Sequence, residues 1–108
     1  MHELSLANAV VDACLERAGG ARILRVRLEV GQLAAVLPDS LRFCFEVCTR
    51  GTAAEGAGLE IEEIPGRAEC DTCGCAIAMA SPFGRCDCGG TLRIVAGDGL
   101  RVKDMEIT

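Results

Sequence analysis

Glu69-Cys70-Asp71-Thr72-Cys73-Gly74-Cys75 and Arg85-Cys86-Asp87-Cys88-Gly89-Gly90 decide how this chain can fold. Between Glu69 and Gly90 there is little periodic apolar pattern and much Cys and Gly, so the stretch cannot bury enough surface to order itself unaided; it needs a metal. A Cys-x-x-Cys turn puts two thiolates on one knuckle, and a following Gly lets the backbone fold around an ion. Cys70-Asp71-Thr72-Cys73-Gly74 meets that description. Its partner, Cys86-Asp87-Cys88-Gly89-Gly90, is one residue tighter, and Cys75 is a spare thiol that could replace a ligand if the short pair falls short. Four thiolates suit tetrahedral zinc, and a closed set leaves no position for a substrate, so the site is expected to be structural. Disulfides and an iron site of rubredoxin type are the competing readings. The first is opposed by cytosolic features of the chain, the second by a lack of aromatic residues to pack around a redox centre.

Outward from this stretch the chain becomes periodic. Leu92 and Ile94 alternate as a strand, Gly97-Asp98-Gly99 reads as a tight turn, and Leu100, Val102, Met105 and Ile107 form a last strand with a slip near Asp104. Upstream, Leu59 and Ile61 alternate with Glu60 and Glu62 until Pro65-Gly66 interrupts, and a loop of small residues fills positions 52–58. Pro38 opens a helix expected to run to Arg50, burying Leu41, Cys44, Phe45 and Cys48, with Gly51 as its stop. Leu24, Val26, Leu28 and Val30 alternate with charged residues as a strand closed by Gly31. Leu4, Ala7, Val11, Cys14, Leu15 and Ala18 have the spacing of an amphipathic helix that Gly19-Gly20 ends. The plan is α+β: a small mixed β-sheet covered by two helices, an inserted zinc-ribbon-like module, and a C-terminal strand returning to the sheet. The expected division is 1–66 plus 91–108 for the α/β part and 67–90 for the zinc module.

The 108 residues suffice for one compact domain with a small appended module. Half are apolar but only three are aromatic, so the core is expected to be small and aliphatic. A net charge of −5 opposes phosphate backbones, so no nucleic acid is expected as partner. With neither a basic n-region nor a membrane-length apolar run, the expected location is the cytoplasm, with no membrane partner. Of the eight cysteines, Cys14, Cys44 and Cys48 lie singly on apolar helical stripes and read as small core residues. Cys44 and Cys48 share a helix face, which also admits a soft-metal or redox pair. Glu60, Glu62 and Glu63 read as a solvated strand face, though they could attract a metal or a basic surface. No nucleophile lies beside a base and no Gly-rich phosphate loop precedes a Lys, so the chain is not expected to be an enzyme.

His2 is the only histidine, and it follows Met1 directly. The α-amine, the His2 backbone nitrogen and the imidazole can chelate one cation in fused rings, with the amide of Glu3 or an outside ligand closing the plane. Such nitrogen-rich, square-planar coordination suits Ni(II) or Cu(II), although a histidine near a terminus is ordinarily just solvated.

Met1-His2-Glu3-Leu4-Ser5, Leu28-Glu29-Val30-Gly31, Leu41-Arg42-Phe43-Cys44-Phe45-Glu46, Arg50-Gly51-Thr52-Ala53-Ala54-Glu55-Gly56 and the late cysteine pairs together resemble the HypA/HybF hydrogenase nickel-incorporation family. The resemblance implies a metallochaperone that carries Ni(II) to the large subunit of a [NiFe] hydrogenase with the GTPase HypB, and in some organisms serves urease. It implies His2 as the nickel imidazole ligand with Met1 and Glu3 as further donors. Cys70, Cys73, Cys86 and Cys88 are the implied zinc ligands. The family has Cys-x-x-Cys in both halves, so Cys86-Asp87-Cys88 departs from its pattern. Some members carry a carboxylate ahead of the second helix; Asp39 is the candidate here. Monomer and homodimer both remain open, and the competing function is a zinc-ribbon interaction adaptor without nickel chemistry.

Overall fold

The computed structural model describes residues 2–108. In order these are α1 (His2–Ala18), β1 (Ile23–Gly31), a short 3-10 turn (Gln32–Ala34), α2 (Pro38–Thr49), β2 (Gly58–Ile64), β3 (Gly66–Cys70), β4 (Ala76–Met79), β5 (Leu92–Ala96) and β6 (Leu100–Ile107). The strands form two three-stranded sheets, ordered β2-β1-β6 and β4-β3-β5. The α+β plan with two helices and a last strand beside the first is what the chain adopts, and the cysteine-rich stretch contributes to a sheet of its own. Two compact units result: residues up to Leu28 with Val36–Glu62 and Val102–Thr108, and Glu29–Ala35 with Glu63–Arg101. The second reaches beyond 67–90 to take in Glu29–Ala35, the residues from Glu63 onward and β5 as far as Arg101. Among the described residues no helix is long and apolar enough to cross a membrane.

In the first unit α1 packs on α2, and Ala7, Val10, Val11, Cys14 and Ala18 are its buried apolar residues. With Ile23, Val26, Leu28, Leu41, Phe45 and Ala54 they make a core that is aliphatic apart from one Phe ring. Two placements differ from simple periodicity. Leu24, expected inward, is 46% exposed, while Ile23 is 1% exposed. The Ile23 N–H donates to the Ala53 carbonyl at 2.9 Å, so the chain enters the strand with Ile23 turned inward and strict alternation starts only at Val26. On α2 the buried line is Leu41, Phe45 and Thr49, each four residues from the last, and Cys44 and Cys48, expected in the core, are half-buried. They sit about 100° around the helix from Phe45 and Thr49, off that line. The Thr49 hydroxyl can occupy the core because it donates back to the Glu46 carbonyl at 3.0 Å.

The outer face of the β2-β1-β6 sheet is laced by exposed ion pairs. Arg25 meets Glu60 at 3.2 Å and also Glu106, Arg27 meets Asp104, and Lys103 meets Glu62 at 3.3 Å. The acidic alternation at Glu60 and Glu62 is thus partnered across strands within a solvated face.

In the second unit β3 pairs antiparallel with β4 and β5, setting Ala68 opposite Ile77 and Ile94. Leu33, Ala68 and Met79 form its buried cluster, with Leu92 and Ile94 against them. The Gly31 N–H donates to the Gly99 carbonyl at 2.7 Å, and the Leu33 N–H to the Gly97 carbonyl at 2.7 Å. Backbones approach so closely here that a Cβ on Gly31 would lie 2.1 Å from the Gly97 oxygen. Because backbone lines both sides, it cannot give way. Gly31→Ala is therefore expected to destabilise this unit by about 1–3 kcal/mol or more. With no Trp or Tyr in the chain, the drop in midpoint is best read by circular dichroism during urea unfolding.

Candidate metal centres

The two cysteine knuckles are held by the ends of β3 and by the turn before β5. Cys70 ends β3, its N–H donating to the Cys75 carbonyl at 3.0 Å, and the Asp71 N–H reaches the Thr91 carbonyl at 2.9 Å. Arg93 of β5 braces the same knuckle through Asp71 at 3.3 Å. These ties bring Cys70, Cys73, Cys86 and Cys88 together, with one sulfur from each lying within 4.8 Å of all the others. The sulfurs of Cys70 and Cys88 are 3.5 Å apart, as are those of Cys73 and Cys86. A tetrahedron with metal–sulfur bonds of about 2.3 Å has sulfur–sulfur edges of about 3.8 Å, so this donor set fits a structural zinc. The short Cys86-Asp87-Cys88 segment still meets both sulfurs of the opposite knuckle, from a turn that the Gly89 N–H closes by donating to the Cys86 carbonyl at 2.8 Å. Cys75 stays exposed and outside the four-sulfur group.

The electrostatics of the cluster favour a cation. N–H groups of Cys73 and Thr72 donate to the Cys70 sulfur at 3.5 and 3.4 Å and lower its pKa. The Cys75 N–H, followed by the thiols of Cys75, Cys86 and Cys70, brings Cys73 down to about 6. Cys86 accepts the Cys88 N–H, yet the sulfurs of Cys88 and Cys73 and burial outweigh that donor and push it up to about 12. Half of the set is ready to ionise while the rest resists a second negative charge so close by. A divalent ion at the centre removes the conflict, since coordinated thiols lose their protons outright.

Gly90 is a further part of this site whose role the spacing of the cysteines does not signal. A Cβ there would stand 2.6 Å from the Cys70 sulfur and 2.7 Å from the Thr72 hydroxyl, so the absence of a side chain gives the knuckles their approach. Gly90→Ala is expected to speed zinc loss to a chromophoric chelator. Cys75→Ser is expected to leave one zinc per chain and its release rate unchanged.

At the other end of the chain, His2 occupies the first turn of α1 with its side chain 56% exposed and Nδ1 3.8 Å from Glu3 Oε2. Met1, expected as a nickel donor, lies outside the described residues. Glu3 is buried, and its carboxylate accepts the Leu37 N–H at 3.3 Å, tying α1 to the entry of α2. That donor, then the N–H of Glu3 itself, holds the carboxyl below its ordinary value of 4.5. The tie is fully present above that ordinary value and is lost as pH falls through the lower folded-state value. Nothing in the sequence pattern signals this bond, because Leu37 is remote in the chain. Glu3 and Leu4 of α1 with Asp39, Ser40, Phe43, Cys44 and Val47 of α2 line an open groove of about 550 Å³. Asp39 is thus brought to the groove that Glu3 also lines.

Comparison with known proteins agrees with this geometry. Residues 1–107 match the family model described as hydrogenase/urease nickel incorporation, metallochaperone, HypA. The chain is 47% identical over 108 residues to the hydrogenase maturation factor HypA of Trichormus variabilis, covering 99% of this chain and 96% of that one. It is 48% identical over 109 residues to the hydrogenase maturation factor HypA of Geobacter metallireducens, covering 99% of each. The solution structure of the Ni metallochaperone HypA from Helicobacter pylori shares the fold, with a TM-score of 0.73 at 22% identity over 97% of this chain and 96% of that one. With a full-length family match and relatives of this identity, the chain belongs to the HypA family of hydrogenase/urease nickel-incorporation metallochaperones.

Proposed function

We propose that this chain is a cytoplasmic nickel metallochaperone that takes Ni(II) at its amino terminus and passes it, together with the GTPase HypB, to the large subunit of a [NiFe] hydrogenase. The observation that carries the reading is the exposed sole imidazole, His2, in the first turn of α1, in a chain whose family incorporates nickel. The proposed donors are the α-amine of Met1, the backbone nitrogen and imidazole of His2, and Glu3. An N–H in the first turn of a helix has no intrahelical acceptor, so the His2 amide can lose its proton to the metal without breaking a helical hydrogen bond. The positive end of the helix dipole opposes a cation there, but by only about 0.3–1 kcal/mol, a small term beside several metal–nitrogen bonds. An exposed terminal site also permits the ligand exchange that delivery requires.

Cys70, Cys73, Cys86 and Cys88 are the proposed ligands of a structural zinc, and residues 67–90 the stretch whose order depends on it. Residues 1–66 and 91–108 form the proposed nickel-binding part. A closed four-thiolate zinc leaves no position for a substrate, so the proposed role is a carrier's rather than a catalyst's.

The test is a nickel titration across pH. Amine and imidazole nitrogens ordinarily take up protons between about pH 8 and about pH 6, so nickel affinity is expected to fall steeply across that range while zinc is retained. Glu3 titrates below 4.5, well under that window. An affinity flat from pH 8 to pH 6 would rule out amine and imidazole ligation.

A further inference from the structure

Two cysteines on α2 belong neither to the core nor to the four-sulfur cluster. Cys44 and Cys48 are half-buried, while Leu41, Phe45 and Thr49 of the same helix are 1%, 3% and 2% exposed. A spacing of four places them on one side of the helix, one turn apart, with Cβ atoms about 5–6 Å from each other. The two side chains interact: burial, then the Cys44 sulfur and the Asp12 carboxylate, holds the Cys48 thiol above its ordinary value. Cys44 also lines the open groove beside α1, and both side chains are partly exposed to solvent.

Geometry separates the uses such a pair can have. A disulfide needs Cβ atoms about 3.5–4.5 Å apart, which the helical spacing exceeds, so bridging them would unwind α2. A linear sulfur–metal–sulfur unit with bonds of about 2.3 Å spans about 4.6 Å, which side chains leaning the same way along the helix reach by small rotations. Among the described residues the four-sulfur set is the only group of three or more donors within 4.8 Å of one another. Among the described residues no third His, Cys, Asp or Glu therefore joins Cys44 and Cys48. Zinc wants four donors and Ni(II) a plane of them; a soft ion content with two thiolates is the remaining match.

We propose that Cys44 and Cys48 form a two-coordinate site for the cuprous ion, independent of the zinc cluster and of the amino-terminal chelate. Binding exchanges two S–H bonds for two copper–sulfur bonds and releases two protons to solvent; copper stays Cu(I) and no electron moves. The consequence for a nickel carrier is selectivity: the metal that outcompetes nickel at nitrogen sites is held instead, in its reduced form, by sulfur.

The test uses the full, zinc-loaded chain under reducing, oxygen-free conditions. One equivalent of Cu(I) is offered as its bicinchoninate complex, with copper uptake followed by loss of that complex's colour and zinc by a chromophoric chelator. The expected result is one copper per chain with no zinc released. That equivalent is lost in Cys44→Ala, in Cys48→Ala and in the double variant, each of which keeps its helical circular dichroism because Ala is the strongest helix former. Copper uptake by the double variant equal to that of the original chain would overturn the proposal. So would copper that enters only as zinc leaves, or no copper uptake at all.

Discussion

Replacing Cys70 by Ser, or stripping zinc with a strong chelator, is expected to collapse the amide dispersion of residues 63–101 while the α1 and α2 signals survive. The physical basis is the small apolar content of the second unit, whose buried cluster is Leu33, Ala68 and Met79. Structural zinc in a small module contributes about 10–16 kcal/mol of binding free energy, as much as the whole stability of a typical domain at about 5–15 kcal/mol. Losing one of four thiolates forfeits most of that term, and Ser offers a harder, weaker donor. A two-dimensional amide spectrum of the variant reads the outcome residue by residue. Retained dispersion from Gly66 to Ala96 without metal would show that the strands hold themselves together and that the cluster is an accessory.

Acetylating the α-amine of Met1, which blocks that nitrogen without supplying a new amine, is expected to weaken nickel binding by more than about 100-fold, with zinc content and fold unchanged. The acyl group turns the amine into an amide and removes its basic lone pair, so the fused rings that include the His2 imidazole lose their anchoring donor. Changes to groups that merely support a ligand cost about 10–100-fold, so loss of a ligand itself should exceed that range. Competition against a nickel chelator of known strength gives the ratio. The Glu3 bond to the Leu37 N–H offers a contrast. It positions the start of α1, and Glu3→Gln, which keeps an oxygen acceptor there and leaves the backbone amide of position 3 in place, is expected to retain nickel far better than the acetylated chain.

The parts of this molecule legible from sequence are those in which chemistry is local. Thiol pairs with Gly behind them, a histidine next to an α-amine, and the spacing of Ala7, Val11, Cys14 and Ala18 each declare themselves within one turn or knuckle. What escaped was decided by distant neighbours. Ile23 displaces Leu24 from the core because of a hydrogen bond to Ala53. Thr49, a polar residue, takes the core position that spacing assigned to Cys48, since its hydroxyl is satisfied within its own helix. Strands β3 and β4 carry Ala, Cys and Met inward, side chains too small or too unusual to register as a hydrophobic alternation. The tight second knuckle looked short on paper, but the ties of Asp71 to Thr91 and Arg93 bring the facing knuckle to it.

The measurement that reaches furthest is native mass spectrometry of the intact chain with added nickel, run beside His2→Ala. One zinc and one nickel per original chain, and one zinc with no nickel per variant chain, is the expected pair of masses. A variant that still carries nickel at the same occupancy would contradict a terminal chelate. Absence of nickel from both would leave a zinc-bearing adaptor in its place.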